Sequence, residues 1–120
     1  MQTRGIEMSQ LYTLIRDTTN LTEVQAKILD HEQVALQFAA DISKNQVYLC
    51  AKGKNSDISV ILLSVRPSYT HSQTFFKAGD TFLRDELSIV ENVFSTGRKV
   101  AGRMELDQGL TVAVTAYPIV

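Results

Sequence analysis

The most constraining stretch of the chain is ISVILLSV, residues 58–65, followed at once by Arg66-Pro67. It is β-branched through its middle and apolar at consecutive positions. A strand of that kind is buried on both faces, so it predicts a central position with helices covering at least one side. Pro67 has no N–H to give to a ladder, so the strand is expected to stop at Arg66. VYLCA (47–51) is rich in β-formers, and GKNSD (53–57) supplies turn residues between the two runs. The pair therefore reads as a hairpin.

Upstream, the apolar period is helical. Met8, Leu11, Leu14 and Ile15 predict a short helix over 7–18 that ends near Thr18-Thr19-Asn20. A longer helix begins after Leu21. Thr22 is placed to cap it and Gln25, three residues on, completes a capping box, with Leu21 and Ala26 as a hydrophobic staple. Leu21, Ile28, Ala35, Phe38 and Ile42 recur on one apolar face, with Val24, Val34 and Ala39 beside them. Glu23, Lys27, Asp30 and Gln33 mark the expected wet side, and the helix should run to about Ile42.

Downstream of the central strand, the residues before Gly79-Asp80-Thr81-Phe82 read as irregular or as a short helix. ELSIVENVFSTG (86–97) returns to a helical period through Leu87, Val90 and Phe94, with Asp85 as cap and Gly97 as the residue that ends it. KVAGRMEL (99–106) and LTVAVTAY (110–117) are strand-like and flank Asp107-Gln108-Gly109, a hairpin loop with Gly at the left-handed position. Hairpins separated by a helix argue for an α+β class with a central antiparallel sheet and the N-terminal helices packed on one face. With 120 residues and no linker or repeat, a single domain over 1–120 is expected.

The charge balance excludes some function classes. Twelve basic and 13 acidic residues leave a net charge of -1, and the basic residues are interleaved with acids. No global field favours nucleic acid or an anionic membrane, so neither is expected as a partner. The N-terminus MQTRGIEMSQ has no apolar signal core, and the longest apolar run is too short to span a bilayer. The single cysteine, Cys50, fits a reducing compartment and hence a cytoplasmic chain.

Recognised catalytic patterns are missing. The six glycines form no G-x-x-x-x-G-K or G-x-G-x-x-G, and no G-x-S-x-G occurs. His31 and His71 lie 40 positions apart with no paired ligand, so no metal site is expected. Cys50 reads as a small core residue; an enzyme would need it paired with a base such as His71. His31 lies in ILDHEQVALQ without the Pro or basic segment of a phosphoacceptor box and reads as a polar helical residue. No catalytic residue is assigned.

Residues 66–82, RPSYTHSQTFFKAGDTF, are the candidate ligand loop. Arg66 suits an anionic group, Ser68, Tyr69 and Ser72 supply hydrogen bonds, and Phe82 supplies apolar wall, with Phe75 and Phe76 nearby in sequence. The alternative is a loop packed on the sheet by its aromatics, with its hydroxyls capping its own backbone.

From LQFAADIS (36–43) to AYPI (116–119) the chain resembles the GAF-like N-terminal sensor domain of bacterial signal-transduction histidine kinases, the type that precedes a PAS domain and kinase core. The features that carry it are Leu36-Gln37 and Ala40-Asp41, Arg66-Pro67, Ser68-Tyr69 with Ser72, Gly79, Val90, Val93 and Phe94, Thr96-Gly97, Gly102 and Pro118-Ile119. LYTLIRDTTNLTEVQAKIL (11–29) fits the family's leading segment. The resemblance implies a GAF/PAS-like fold and a non-catalytic cytoplasmic sensory domain. Such a domain binds a small ligand or partner and biases an attached kinase or other output domain. It also implies a homodimer through the long second helix. No cofactor is specified. An adaptor or dimerisation module without a small ligand is the alternative. In such proteins Pro-Ile leads into a turn and a closing strand; here the sequence stops at Val120 and contains no kinase core, so that strand is expected to be missing.

Overall fold

The computed structural model describes residues 2–55, 57–70, 74–83, 86, 88–105, 109 and 111–118, with side chains from residue 10 onward. The element order is α1 (Gln2–Thr18), α2 (Glu23–Ser43), β1 (Val47–Lys52), β2 (Ile58–Val65), β3 (Thr81–Leu83), α3 (Ser88–Thr96), β4 (Val100–Glu105) and β5 (Thr111–Ala116). The chain forms two compact units, Met1–Thr81 and Phe82–Val120.

In the first unit, α1 starts earlier than the expected residue 7 and buries Leu11 and Ile15. The break before α2 is built by Thr19, whose buried hydroxyl donates to the Ile15 carbonyl at 2.7 Å and accepts the Leu21 N–H at 3.2 Å. The capping box forms as expected: Thr22 Oγ1 accepts the Gln25 N–H at 3.1 Å, and Gln25 Oε1 accepts the Thr22 N–H at 2.9 Å. Two of the orphan donors at the helix start are thus satisfied. Lys44 ends α2 in the left-handed conformation.

β1 and β2 pair antiparallel from Val47↔Val65 to Lys52↔Ser59, with an irregularity between Leu49 and Cys50. The sheet order β1-β2-β3 puts β2 in the middle, as its apolar run requires. Val60 and Leu62 join Leu11, Ile15, Ala26, Leu29, Leu49 and Ala51 in one core, while Ile61, next to them in sequence, is buried to the same degree. Each buried Val, Leu or Ile among them contributes about 1.5–3 kcal/mol by leaving water. The short strand β3 falls after the stretch read as irregular, at a place where no strand was expected; the Ile61 N–H donates to Asp80 O at 2.9 Å and its carbonyl accepts from Gly79 at 2.7 Å.

The turn from β1 to β2 docks on the end of α1. Lys54 N–H donates to Thr18 O at 2.9 Å, and a Cβ at Gly53 would lie 3.2 Å from Ile58 O and 3.4 Å from Thr18 O. That close backbone approach is the reason for glycine there.

The face of α2 that enters the core differs from the expected one. Ala26, Leu29 and Ala40 are buried and Leu36 packs against the same core. Val24, Ile28, Val34, Phe38 and Ile42, expected on or beside the apolar face, are exposed. Asp30 and Gln33, expected on the wet side, are half-buried and bonded to each other at 2.7 Å. The helix carries apolar residues on two faces, and the small side chains Ala26 and Ala40 let that side approach the sheet.

In the second unit, α3 packs on β4 and β5. It buries Ile89 and Val93, with Val90 and Phe94 half-buried. β4 and β5 pair antiparallel from Val100↔Ala116 to Glu105↔Thr111 as a separate two-stranded sheet. Gly97 and Gly109 take the expected positive φ, +66° and +77°. Leu87, Asp85, Asp107, Gln108 and Ile119, named in the sequence reading, lie outside the described residues.

Candidate functional site

The candidate loop begins where β2 ends, at Val65, one residue earlier than expected. Pro67 is buried, and Arg66, Ser68 and Tyr69 are exposed, Tyr69 by 61%. The turn is held by α2. Asp41 Oδ1 accepts the Ser68 N–H at 2.7 Å and its Oδ2 accepts the Ser68 hydroxyl at 3.0 Å. One turn earlier on α2, the Gln37 amide donates to Arg66 O at 2.9 Å, to Ser68 Oγ at 3.2 Å and to Asp41 Oδ1 at 3.1 Å. Spacing of four places Gln37 and Asp41 on one helical face, so both reach the same turn.

The electrostatics follow from that geometry. The Ser68 N–H holds the Asp41 carboxyl below its ordinary value of 3.8. Partial desolvation opposes it, and the Ser68 hydroxyl and Gln37 amide add to the lowering. Hydrogen bonds to the charged form favour ionisation.

Further along, the loop is anchored to β1. Tyr48 Oη accepts the N–H groups of Phe75 at 2.9 Å and Phe76 at 3.4 Å, and donates to the side-chain carbonyl of Gln46. That carbonyl also accepts from Phe75 N at 3.0 Å. The Phe76 ring meets the Tyr48 ring edge-on at 5.2 Å, and the Phe76 carbonyl accepts from Ser64 Oγ and Thr74 Oγ1, each at 2.8 Å. Burial raises the Tyr48 hydroxyl above its ordinary value, partly offset by the two donors. Lys77 N–H to Asp80 Oδ2 at 2.8 Å closes the last turn.

Among the expected ligand residues, Arg66, Ser68 and Tyr69 therefore share one exposed turn beside Gln37 and Asp41. Ser72, and His71 with it, lie outside the described residues. Phe82 is half-buried and belongs to the second unit. Asp41, Gln46 and Tyr48 were not singled out as site residues by sequence reasoning. The signal available for Asp41 was its spacing of four from Gln37 on α2, which puts both side chains on one helical face.

Cys50 is not an activated nucleophile: burial of its thiol pushes it up to about 12, away from the thiolate that reacts. Among the described residues no group of three His, Cys, Asp or Glu is placed to hold a metal ion. Among them, too, no helix is long and apolar enough to cross a membrane.

Comparison with protein families matches residues 11–120 to the model described as histidine kinase PdtaS, GAF domain. The chain belongs to this GAF-domain family. The match spans the later half of α1, all of α2, the β1–β2 hairpin and the whole second unit. The α+β fold and the likeness to a histidine-kinase sensor domain are thereby established. Comparisons with curated proteins and with solved structures each found no match.

Proposed function

We propose that the chain is a non-catalytic, cytoplasmic sensory and regulatory module of a two-component histidine kinase, working as a homodimer beside a kinase or other output domain. The observation that carries this reading is the family match over residues 11–120. Because that match runs across both compact units, it also supports treating 1–120 as one functional domain.

In this reading the turn at Arg66, Ser68 and Tyr69, together with Ser72 by its place in the sequence, meets a small ligand or partner. An anionic group suits the Arg66 side chain and competes with the Asp41 carboxylate for the Ser68 N–H and hydroxyl. Displacing Asp41 loosens the hold of the turn on the last turns of α2. The ligand then biases the helix by its differential affinity for the latched and released states.

The second reading is an adaptor without a small ligand. It is favoured by the donors of the loop at Ser68, Phe75 and Phe76, which are already satisfied by Asp41, Gln46 and Tyr48.

Native mass spectrometry of the chain purified from its original host tests the site. A retained small molecule lost from Arg66→Ala and Tyr69→Ala supports the ligand reading. Equal retention in both variants overturns the site, and a bare protein that still associates favours the adaptor.

A further inference from the structure

Among the described residues four strand edges are open, the outer edges of β1 and β3 in the first sheet and those of β4 and β5 in the second. An open edge offers a row of backbone N–H and C=O groups to any strand that can pair with it, and folded proteins blunt such edges with charges, breaks or shortness. Three of the four are blunted. β1 carries the irregularity between Leu49 and Cys50 and ends on Lys52, β3 has only three residues, and β4 contains Gly102, Arg103 and Glu105. β5, Thr-Val-Ala-Val-Thr-Ala over 111–116, has no charge, glycine or proline, and its ladder with β4 runs without a register shift. A sheet of two strands is marginal by itself, and further strands on an apolar face stabilise it.

Gly102 locates the two faces of this sheet. A Cβ there would meet the Ile89 side chain of α3 at 3.2 Å, and Gly102 stands opposite Val114. Val112, Val114 and Ala116 therefore lie on the α3 side, where they are half-buried, while Thr111, Ala113 and Thr115 face away and are exposed. We infer that the open edge of β5 takes the β5 of a second copy, antiparallel about Ala113, to make one four-stranded sheet. The inference rests on the homodimer of the proposed function and gives it a contact through backbone pairing. In this register Thr111 faces Thr115 of the other copy, Val112 faces Val114, and Ala113 faces itself. Every row then pairs like with like, valine beside α3 and threonine outside, the kind of cross-strand pair that stabilises a ladder. A slip of one residue would set the valines against the outward row. Charge is compatible with self-pairing: β5 has none, and Arg103, opposite Ala113, is kept from its copy by three strand spacings, roughly 14 Å. The edge contributes 6 residues a side, well short of the roughly 20–30 of a standard stable interface, so the association is weak and concentration-dependent.

Analytical ultracentrifugation of the full chain over a concentration series tests this. The wild type should associate reversibly. Ala113→Lys and Ala113→Glu should each weaken association by about fivefold or more, because each sets like charges face to face. Their circular dichroism spectra should be unchanged, since Ala113 is exposed in the single copy. An equimolar mixture of the two variants should associate at least as well as the wild type, the opposed pair now carrying opposite charges. In a Cys50→Ala background, Ala113→Cys should form a disulfide with its own copy under mild oxidation. A dimer indifferent to both charges overturns the edge contact while leaving the homodimer standing. Variants that weaken but do not recover on mixing overturn the pairing at Ala113. Crosslinking of Thr111→Cys to its own copy in preference to Ala113→Cys overturns the register. A chain that stays monomeric at every concentration overturns both the edge contact and the homodimer.

Discussion

Asp41 receives both the backbone N–H and the hydroxyl of Ser68, at 2.7 and 3.0 Å, and so ties the last turns of α2 to the turn that ends β2. Because Asp41 titrates below its ordinary 3.8 in the folded chain, the latch is fully present above the unfolded value and is lost as pH falls through the lower, folded one. The Ser68 amide resonance should therefore shift with a midpoint below 3.8, and Asp41→Asn should remove the transition. A midpoint above that value would show the latch open in solution.

The two faces of α2 give opposite expectations for neighbouring residues. Leu29 is 3% exposed within the core, so Leu29→Ala should cost about 2–5 kcal/mol in urea unfolding. Ile28 points away from that core, and Ile28→Ala should stay within about 0.5 kcal/mol at protein concentrations too low for association. Equal losses for both variants under dilute conditions would contradict the placement of the helix.

That contrast marks the limit of what was legible beforehand. The hairpin of β1 and β2 could be read because an apolar run of β-branched residues ended by proline has few other solutions. The α2 cap could be read because Thr22 and Gln25 interact locally, within one turn. Which face of α2 enters the core could not, since apolar residues occupy two faces and the choice rests on how closely Ala26 and Ala40 let the sheet approach. β3 escaped notice for a related reason. Three residues, Thr81–Leu83, are too few to show a period, and their position beside β2 depends on Gly79 and Asp80 bonding to Ile61. In the candidate site, Arg66, Ser68 and Tyr69 were visible as a polar cluster after a strand. Their partners Gln37 and Asp41 lie 27 to 31 residues away in sequence, a separation that only the packed helix closes.

Gly53 and Gly97 should fail for different reasons. Gly97 ends α3 at φ +66° with its N–H on Val93 O at 2.8 Å and open space where a Cβ would go. Gly97→Ala should then cost about 1–2 kcal/mol of backbone strain and nothing else. At Gly53 the added carbon meets two backbone carbonyls, and the displacement should cost about 1–3 kcal/mol. Hydrogen exchange separates the two: the Lys54 amide, bonded to Thr18 O, should exchange faster in Gly53→Ala and at the native rate in Gly97→Ala.

Cys50 supplies the sharpest check on the reading of the chain as non-catalytic. Burial pushes its thiol up to about 12, so near neutral pH almost none of it is thiolate. Since the thiolate is the reacting species, iodoacetamide should label the native chain far more slowly than the urea-unfolded chain. Raising the pH from 7 to 9 should bring the unfolded thiol towards full reactivity while the native one stays slow, because ionisation in the fold requires still higher pH. Fast native labelling that saturates near pH 7 would instead identify an activated nucleophile and reopen the enzyme reading, with the search for its base beginning at His71.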